Sequence, residues 1–204
     1  MKKVIYYKNL QVKPDERLIM TRLGYRSGTA ADEGLRQKIA GDIARAVALC
    51  RVKGAFLRAP VRVEDGRVVI MDEYELPGRS LAGFLAGCHE CVLMASTAGR
   101  EITRRIEAEM AQGNASRAVV MDATASEMAD GGLDVIMKIQ NGLLIKEGRR
   151  LTKRRYSPGY GDMPIECQKI IFHLLQLQDL EMGMTEAGML VPEKSVIAIA
   201  GITL

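Results

Sequence analysis

Through residues 32–52, EGLRQKIAGDIARAVALCRV brings Leu35, Ile39, Ile43, Val47 and then Cys50 or Arg51 round on successive turns. That spacing predicts an amphipathic helix with one buried stripe. Ahead of it, KKVIYY reads as a strand, and Pro14 followed by ERLIMTRLGY reads as a helix that Gly24 stops. The period then changes. AFLRAPVRVEDGRVVIMDEYELP alternates apolar and polar residues around Asp65-Gly66, a pair favoured in tight hairpin turns, so an antiparallel hairpin is expected.

Ser80 stands as an N-cap before the short helix LAGFL, and ECVLMAST is a near-continuous apolar run of strand length that ends at Thr97-Ala98-Gly99. A helix from Gly99 or Arg100 through Met110 is punctuated by GN. After it, SRAVVMDATASEMADGGLDVIMKIQNGLLIKEG has helical spacing interrupted at Gly131-Gly132. Each of those glycines costs about 1 kcal/mol in a helix relative to Ala, so either a close approach by another helix or a ligand, or a break, accounts for them. Further on, Asp162 is placed as an N-cap and Pro164 in a first turn. The helix through IECQKIIFHLLQLQDL then carries Ile170, Ile171, Leu174, Leu175 and Leu177 toward a core. MLVPEKSVIAIAGI is strand-like after Pro192. One clear hairpin, an irregular order of elements and no repeated βαβ unit favour a mixed α+β domain over a doubly wound sheet.

The chain's 204 residues suit one domain, or a core domain with a small appendage, and are enough to bury a sizeable core. Four scattered cysteines, Cys50, Cys88, Cys91 and Cys167, with no signal peptide and no dense framework, point to reduced thiols and a cytoplasmic location. No apolar run approaches the roughly 20 residues of a membrane helix. The 29 basic and 25 acidic residues nearly balance, so only a local cluster suggests an anionic partner, and Arg149, Arg150, Lys153, Arg154 and Arg155 form one. With no Trp, few other aromatics and no recognised nucleic-acid motif, nucleic acid is not expected as a partner.

Among candidate chemistries, Cys88-His89-Glu90-Cys91 is half a zinc site whose other half has no matching spacing, so core or strand-edge cysteines are expected there and no metal. Asp122, Glu127, Asp130 and Asp134 lie on one helical stretch, where they either orient a basic ligand group or are solvated acids beside the basic cluster. Thr97-Ala98-Gly99 is either a capped turn or an anion-accepting helix N-terminus. The loop RRYSPGYGDMP, residues 154–164, is the hardest to read as mere connection. Pro158-Gly159 suits the centre of a type II turn, and Gly161 adds a backbone position that a planar ligand could approach. Arg155 offers a rigid fork for a carboxylate, and Tyr160 an aromatic face with a hydroxyl at its tip. A ring-bearing amino-acid ligand and a tight surface turn both fit these parts.

RLGYRSG with the following DE, the GC and apolar strand ending in TAG, RRYSPGYGD, QKIIFHLL, and MTEAGMLVPEKSV occur in that order across nearly the whole chain. Together they resemble the activation (reactivation) domain of cobalamin-dependent methionine synthase, in its free-standing bacterial form. The resemblance implies a C-shaped single α+β domain over residues 1–204, with a twisted antiparallel sheet and flanking helices. In it a strand, helices and hairpin (1–78) precede a core with the ligand loop (79–204). It implies binding of S-adenosylmethionine and reactivation of cob(II)alamin held by a separate methionine synthase or corrinoid protein, with a flavodoxin- or ferredoxin-like electron donor. By the same resemblance Arg155 grips the ligand's carboxylate, Ser157, Pro158 and Gly159 face its adenosyl and amino-acid groups, and Tyr160 points toward the cobalt as the catalytic residue. Glu186, Pro192 and Ser195 frame the site.

Three departures accompany the match. Ser126 and Asp130 stand where the full-length enzyme has an acidic residue and a glutamate, so engagement of the cobalamin partner is expected to differ. Leu204 comes ahead of a tyrosine-containing strand that contacts the ligand in the full-length enzyme, which implies weaker affinity or a partner that completes the site. No DxHxxG-type cobalt-ligating motif is present, so cobalamin is expected only through the partner. The alternative function is a module that binds S-adenosylmethionine to regulate or stabilise a corrinoid protein without methyl transfer.

Overall fold

The computed structural model describes residues 3–25 and 32–204. The chain opens with strand β1 (Ile5–Tyr7), helices α1 (Glu16–Arg22) and α2 (Glu33–Leu49), and the strands β2 (Lys53–Glu64), β3 (Arg67–Ile70) and β4 (Tyr74–Pro77). It continues with α3 (Arg79–Phe84), β5 (Glu90–Thr97), α4 (Arg100–Ala111) and the 31-residue α5 (Ala115–Ile145). After β6 (Arg150–Leu151) come α6 (Gln168–Leu174), the short pair β7 (Gly183–Met184) and β8 (Leu190–Val191), and finally β9 (Ser195–Thr203).

Seven strands form one antiparallel sheet in the order β4-β3-β2-β5-β9-β6, with β1 also on β2. β2 is long enough for one of its edges to be used twice, by β1 over residues 54–56 and by β3 over 61–64, while β5 occupies the opposite edge over 53–60. The expected hairpin is the β2–β3 pair, and Asp65 and Gly66 at its tip both have positive φ, as the turn demands. Strands of residues 1–78 and of 79–204 thus share a single mixed α+β fold.

Period-2 geometry sorts the side chains of the central strands. Leu57, Leu93 and Ile197 pack with Leu81 and Ile171 on one face, whereas Phe56, Met94 and Ala198 pack with Met128, Leu133 and Ile136 of α5 on the other. Burial on both faces is why the middle of β5, Cys91 to Ala95, is apolar throughout. Ile170, Ile171, Leu174, Leu175 and Leu177 all reach the first of these cores, as their spacing predicts. A smaller cluster of Ile19, Ile39, Ile43, Val120 and Ala123 joins α1 and α2 to α5. Leu35, expected on the buried stripe of α2, is 37% exposed because the stripe meets α5 only from Ile39 onward. A polar knot ties α2 and α5 to α4. Glu109 and Asp42, both buried, receive Arg117 at 3.2 and 3.1 Å, and Asn114 donates to Glu109 at 2.8 Å. Burial alone would raise the Glu109 carboxyl, but hydrogen bonds from Asn114 and Arg105 and the charges of Arg105 and Arg117 hold it below the ordinary range.

Four local expectations are corrected. α5 runs unbroken through Gly131-Gly132, because a Cβ on Gly131 would come within 2.5 Å of Val12 Cγ1 and one on Gly132 would overlap Ser96 Oγ of β5. The glycines allow the helix to lie against the sheet rather than ending it. Ser80 is inside α3, whose N-cap is Gly78, and Asp162 does not cap the helix that follows it. Its carboxylate instead accepts the backbone N–H groups of Arg79 at 2.8 Å and Ser80 at 3.0 Å, so it caps α3 from a distant part of the chain. Pro164 is the N-cap of a 3-10 turn (Ile165–Cys167) that leads into α6, one position earlier than expected. The Arg26–Gly28 part of RLGYRSG lies outside the described residues.

Cys50, Cys88, Cys91 and Cys167 are all buried and form no disulfide with one another, and burial pushes the Cys50 thiol up to about 12. These are core cysteines. Among the described residues no helix is long and apolar enough to cross a membrane.

Candidate functional site

After β6 the chain is pinned to β9 by two backbone hydrogen bonds between Tyr156 and Ile199, at 2.7 and 2.8 Å. The next four residues make the expected turn: the Tyr160 N–H donates to the Ser157 carbonyl at 3.2 Å, and Gly159 at its third position has φ +87°. Met163, buried, closes the loop by donating to Tyr160 O at 3.1 Å and accepting from Gly159 N at 3.0 Å. The Tyr156 hydroxyl donates to Tyr160 O at 3.1 Å, and its ring lies 5.6 Å from that of Phe84. The face of Gly161 is taken by this Tyr156 hydroxyl and by Ser80, and that of Gly159 by Ile165, so side chains of the protein itself occupy the space expected for a planar ligand. The glycines serve the loop's packing.

Asp162 ties the far end of the loop to α3. Hydrogen bonds from the Ser80 backbone first, and from Arg79 as well, hold its carboxyl below the usual range. A folded-state pKa below the unfolded one stabilises the protein above the ordinary aspartate pKa of about 3.9 and ceases to do so as the pH falls through the folded value. The melting temperature of Asp162→Asn should therefore lie below that of the parent by a constant amount above pH 5. The gap should shrink in melts run progressively more acid, and a gap independent of pH would refute the assignment.

One side of the loop borders a cavity of about 490 Å³, which Arg155, Tyr156, Ser157, Pro158 and Tyr160 line together with Asp130, Gln168, Leu190, Ser195, Val196 and Ile197. Of the residues singled out from sequence, it thus collects Arg155, Ser157, Pro158, Tyr160, Asp130 and Ser195. Gly159 is in the turn but not on the cavity wall, Ser126 is half-buried on α5 one turn before Asp130, and Glu186 is exposed in the β7–β8 turn. Ser195, the first residue of β9, hydrogen-bonds the Pro192 carbonyl at 2.6 Å and Thr97 Oγ1 at 2.8 Å. Tyr160 is 69% exposed, so its ring forms the rim.

Charge converges on the same cavity. The Arg155 guanidinium is paired with Asp134 and, at 3.5 Å, with Asp130, bridging these two acids one turn apart on α5. Arg22 of α1 pairs with Asp130 and, at 3.3 Å, with the buried Glu127. Burial raises the Glu127 carboxyl, with Arg22 opposing and Asp130 adding to the rise. The wider basic cluster disperses. Arg149 is engaged by Glu90 at 2.7 Å, while Lys153 and Arg154 line an open groove that Arg155 separates from the cavity.

Sequence reasoning passed over Gln168, Tyr156 and Arg22. Gln168, buried, donates through Nε2 to the Gly188 carbonyl, and the one signal for it is a polar residue three and four positions ahead of the inward-facing Ile171 and Phe172. Arg22 carries no local signal, because the acids it serves lie more than a hundred residues away.

Neither a family model nor a curated protein matches this chain. Among solved structures it matches the crystal structure of the MetH reactivation domain bound to AdoHcy, with a TM-score of 0.69 and 15% sequence identity, over 98% of this chain and 78% of that one. The chain therefore has the fold of that domain, a curled antiparallel sheet with flanking helices.

Proposed function

We propose that this protein binds S-adenosylmethionine in the cavity beside the loop of residues 154–164 and supports reductive methylation of cob(II)alamin on a separate cobalamin-dependent methionine synthase or related corrinoid protein. The observation that carries the reading is the ion pair of Arg155 and Asp130, 3.5 Å apart on the wall of that cavity, in a fold shared with a domain solved with AdoHcy. An amino-acid tail is a zwitterion. A guanidinium fork suits its carboxylate and an aspartate suits its ammonium, so the pair reads both ends of one ligand. At about 490 Å³ the space lies within the range of small-ligand sites, and Leu190, Val196 and Ile197 give it an apolar wall.

The sulfonium of S-adenosylmethionine supplies an electrophilic methyl group when bound, and a flavodoxin- or ferredoxin-like donor supplies the electron. The chain's own task is positional: Arg155 and Asp130 hold the tail, the turn at residues 157–160 sets the height of the ligand against the opening, and Tyr160 presents its hydroxyl there to a partner.

The test is a calorimetric titration with S-adenosylmethionine beside S-adenosylhomocysteine, joined to a methylation assay with a cobalamin protein and a reductant. Saturable binding with methylcobalamin formation is expected. Tyr160→Phe should retain the parent's affinity and lose most of the methylation rate. Binding without methylcobalamin under any partner would favour the regulatory module instead, and absence of binding with and without the cobalamin protein would sink both.

A further inference from the structure

A second cavity, of about 560 Å³, opens where the N-terminus of α4 meets the start of β2, and it shares no lining residue with the one just described. Five cations line it: Lys8, Arg51, Lys53, Arg100 and Arg104. Only two acids do, Glu101 and Glu181, which leaves three positive charges in excess within one concavity.

The pairing is uneven. Lys53 is matched by Glu181 at 2.6 Å, and Arg51 reaches Glu101 only at 4.0 Å while donating to the carbonyls of Ala48 and Cys50 at the end of α2. Arg100 is bonded to the neutral Glu181 carbonyl at 3.1 Å, so its charge is not neutralised there. Lys8 and Arg104 have no bonded partner among the described residues. The α4 N-terminus adds to the field, since its N-cap Gly99 offers no side-chain oxygen to the first-turn N–H groups. The Thr97 hydroxyl accepts the N–H of Gly99 itself, at 3.1 Å, and the Ser195 hydroxyl, at 2.8 Å. Like charges gathered in a cleft repel one another, and a bound anion relieves that repulsion.

We propose that this cavity binds a small phosphate-bearing anion. Phosphate groups suit it in particular: Arg100 and Arg104, one turn apart on α4, offer guanidinium forks, and the helix N–H groups can donate to a further oxygen. Concavity favours a compact ligand over an extended polymer. The site stands independently of the role assigned to Arg155.

The experiment titrates the full chain with inorganic pyrophosphate and with inorganic phosphate at constant ionic strength, using KCl as the control, and measures both binding heat and melting temperature. Saturable binding of pyrophosphate is expected, weakened at least tenfold in Lys8→Ala/Arg104→Ala and unchanged in Arg155→Ala. Because Lys8 and Arg104 are exposed and have no bonded partner among the described residues, the double variant should melt with the parent in KCl. If it does not, Arg100→Gln serves as the second variant, with the same loss expected. No saturable heat, equal binding in the variants, or a loss caused by Arg155→Ala would each overturn the proposal.

Discussion

Arg155→Ala is expected to weaken S-adenosylmethionine binding by roughly 30- to 150-fold, the equivalent of about 2–3 kcal/mol for charge-assisted hydrogen bonds lost from a carboxylate. The structure sharpens the direction. Arg155 is the cation between Asp134 and Asp130, so its removal takes away the fork and also leaves two acids whose field repels the incoming carboxylate. Arg22 remains on Asp130 but not on Asp134. Arg155→Lys keeps the charge without the planar fork and should fall between parent and alanine variant. Calorimetry with the three proteins, each checked for an unchanged melting temperature, decides it. Equal affinities would remove Arg155 from the site and with it the proposed reading of the cavity.

The second large effect is expected in the fold itself. Gly132→Ala should destabilise the protein by about 1–3 kcal/mol even though alanine is the better helix former by about 1 kcal/mol, because the new methyl group has no room. Besides overlapping Ser96 Oγ, it would stand 3.0 Å from both Ser96 Cβ and Val52 Cγ1, in a layer where α5 lies directly on the sheet. The double variant Ser96→Ala/Gly132→Ala tests the cause. The Ser96 hydroxyl is buried and has no hydrogen-bond partner among the described residues, so its removal alone should be close to neutral, while in the double variant it should recover a good part of the loss. Chemical denaturation of the four proteins gives the cycle directly, and strictly additive effects would contradict the packing argument.

The same helix shows where sequence reasoning stops. Two adjacent glycines in α5 read equally well as a break or as a close approach, because local propensity sees what the residues cost and not which element lies opposite them. Strands and helices with clear periods, such as β5, α2 and the β2–β3 hairpin, were legible because the pattern that identifies them is the pattern that buries them. Capping was less so. Asp162 and Ser80 were each assigned to the helix nearest in sequence, whereas Asp162 in fact serves α3, and nothing local to either residue says so. At the candidate site, Arg155, Ser157, Pro158 and Tyr160 announced themselves through a compact motif with a turn at its centre. Gln168, Leu190, Val196 and Ile197 reach the same cavity only through the packing of α6, β8 and β9, which no spacing along the chain encodes.

That β9 lies between β5 and β6 has a consequence for how the protein is made. During synthesis the strands from β1 to β5 can pair as they emerge, but the flank of β5 that will receive residues 195–202 stays open until the ribosome has passed them. Over that interval a run of backbone donors and acceptors between apolar side chains is available to any other extended chain. Ser195 and Ile197 arrive with the same strand, so the ligand cavity cannot form any earlier than the sheet closes. A nascent chain halted before β9 should therefore depend on chaperones and bind no ligand, and completing the strand should end both conditions together.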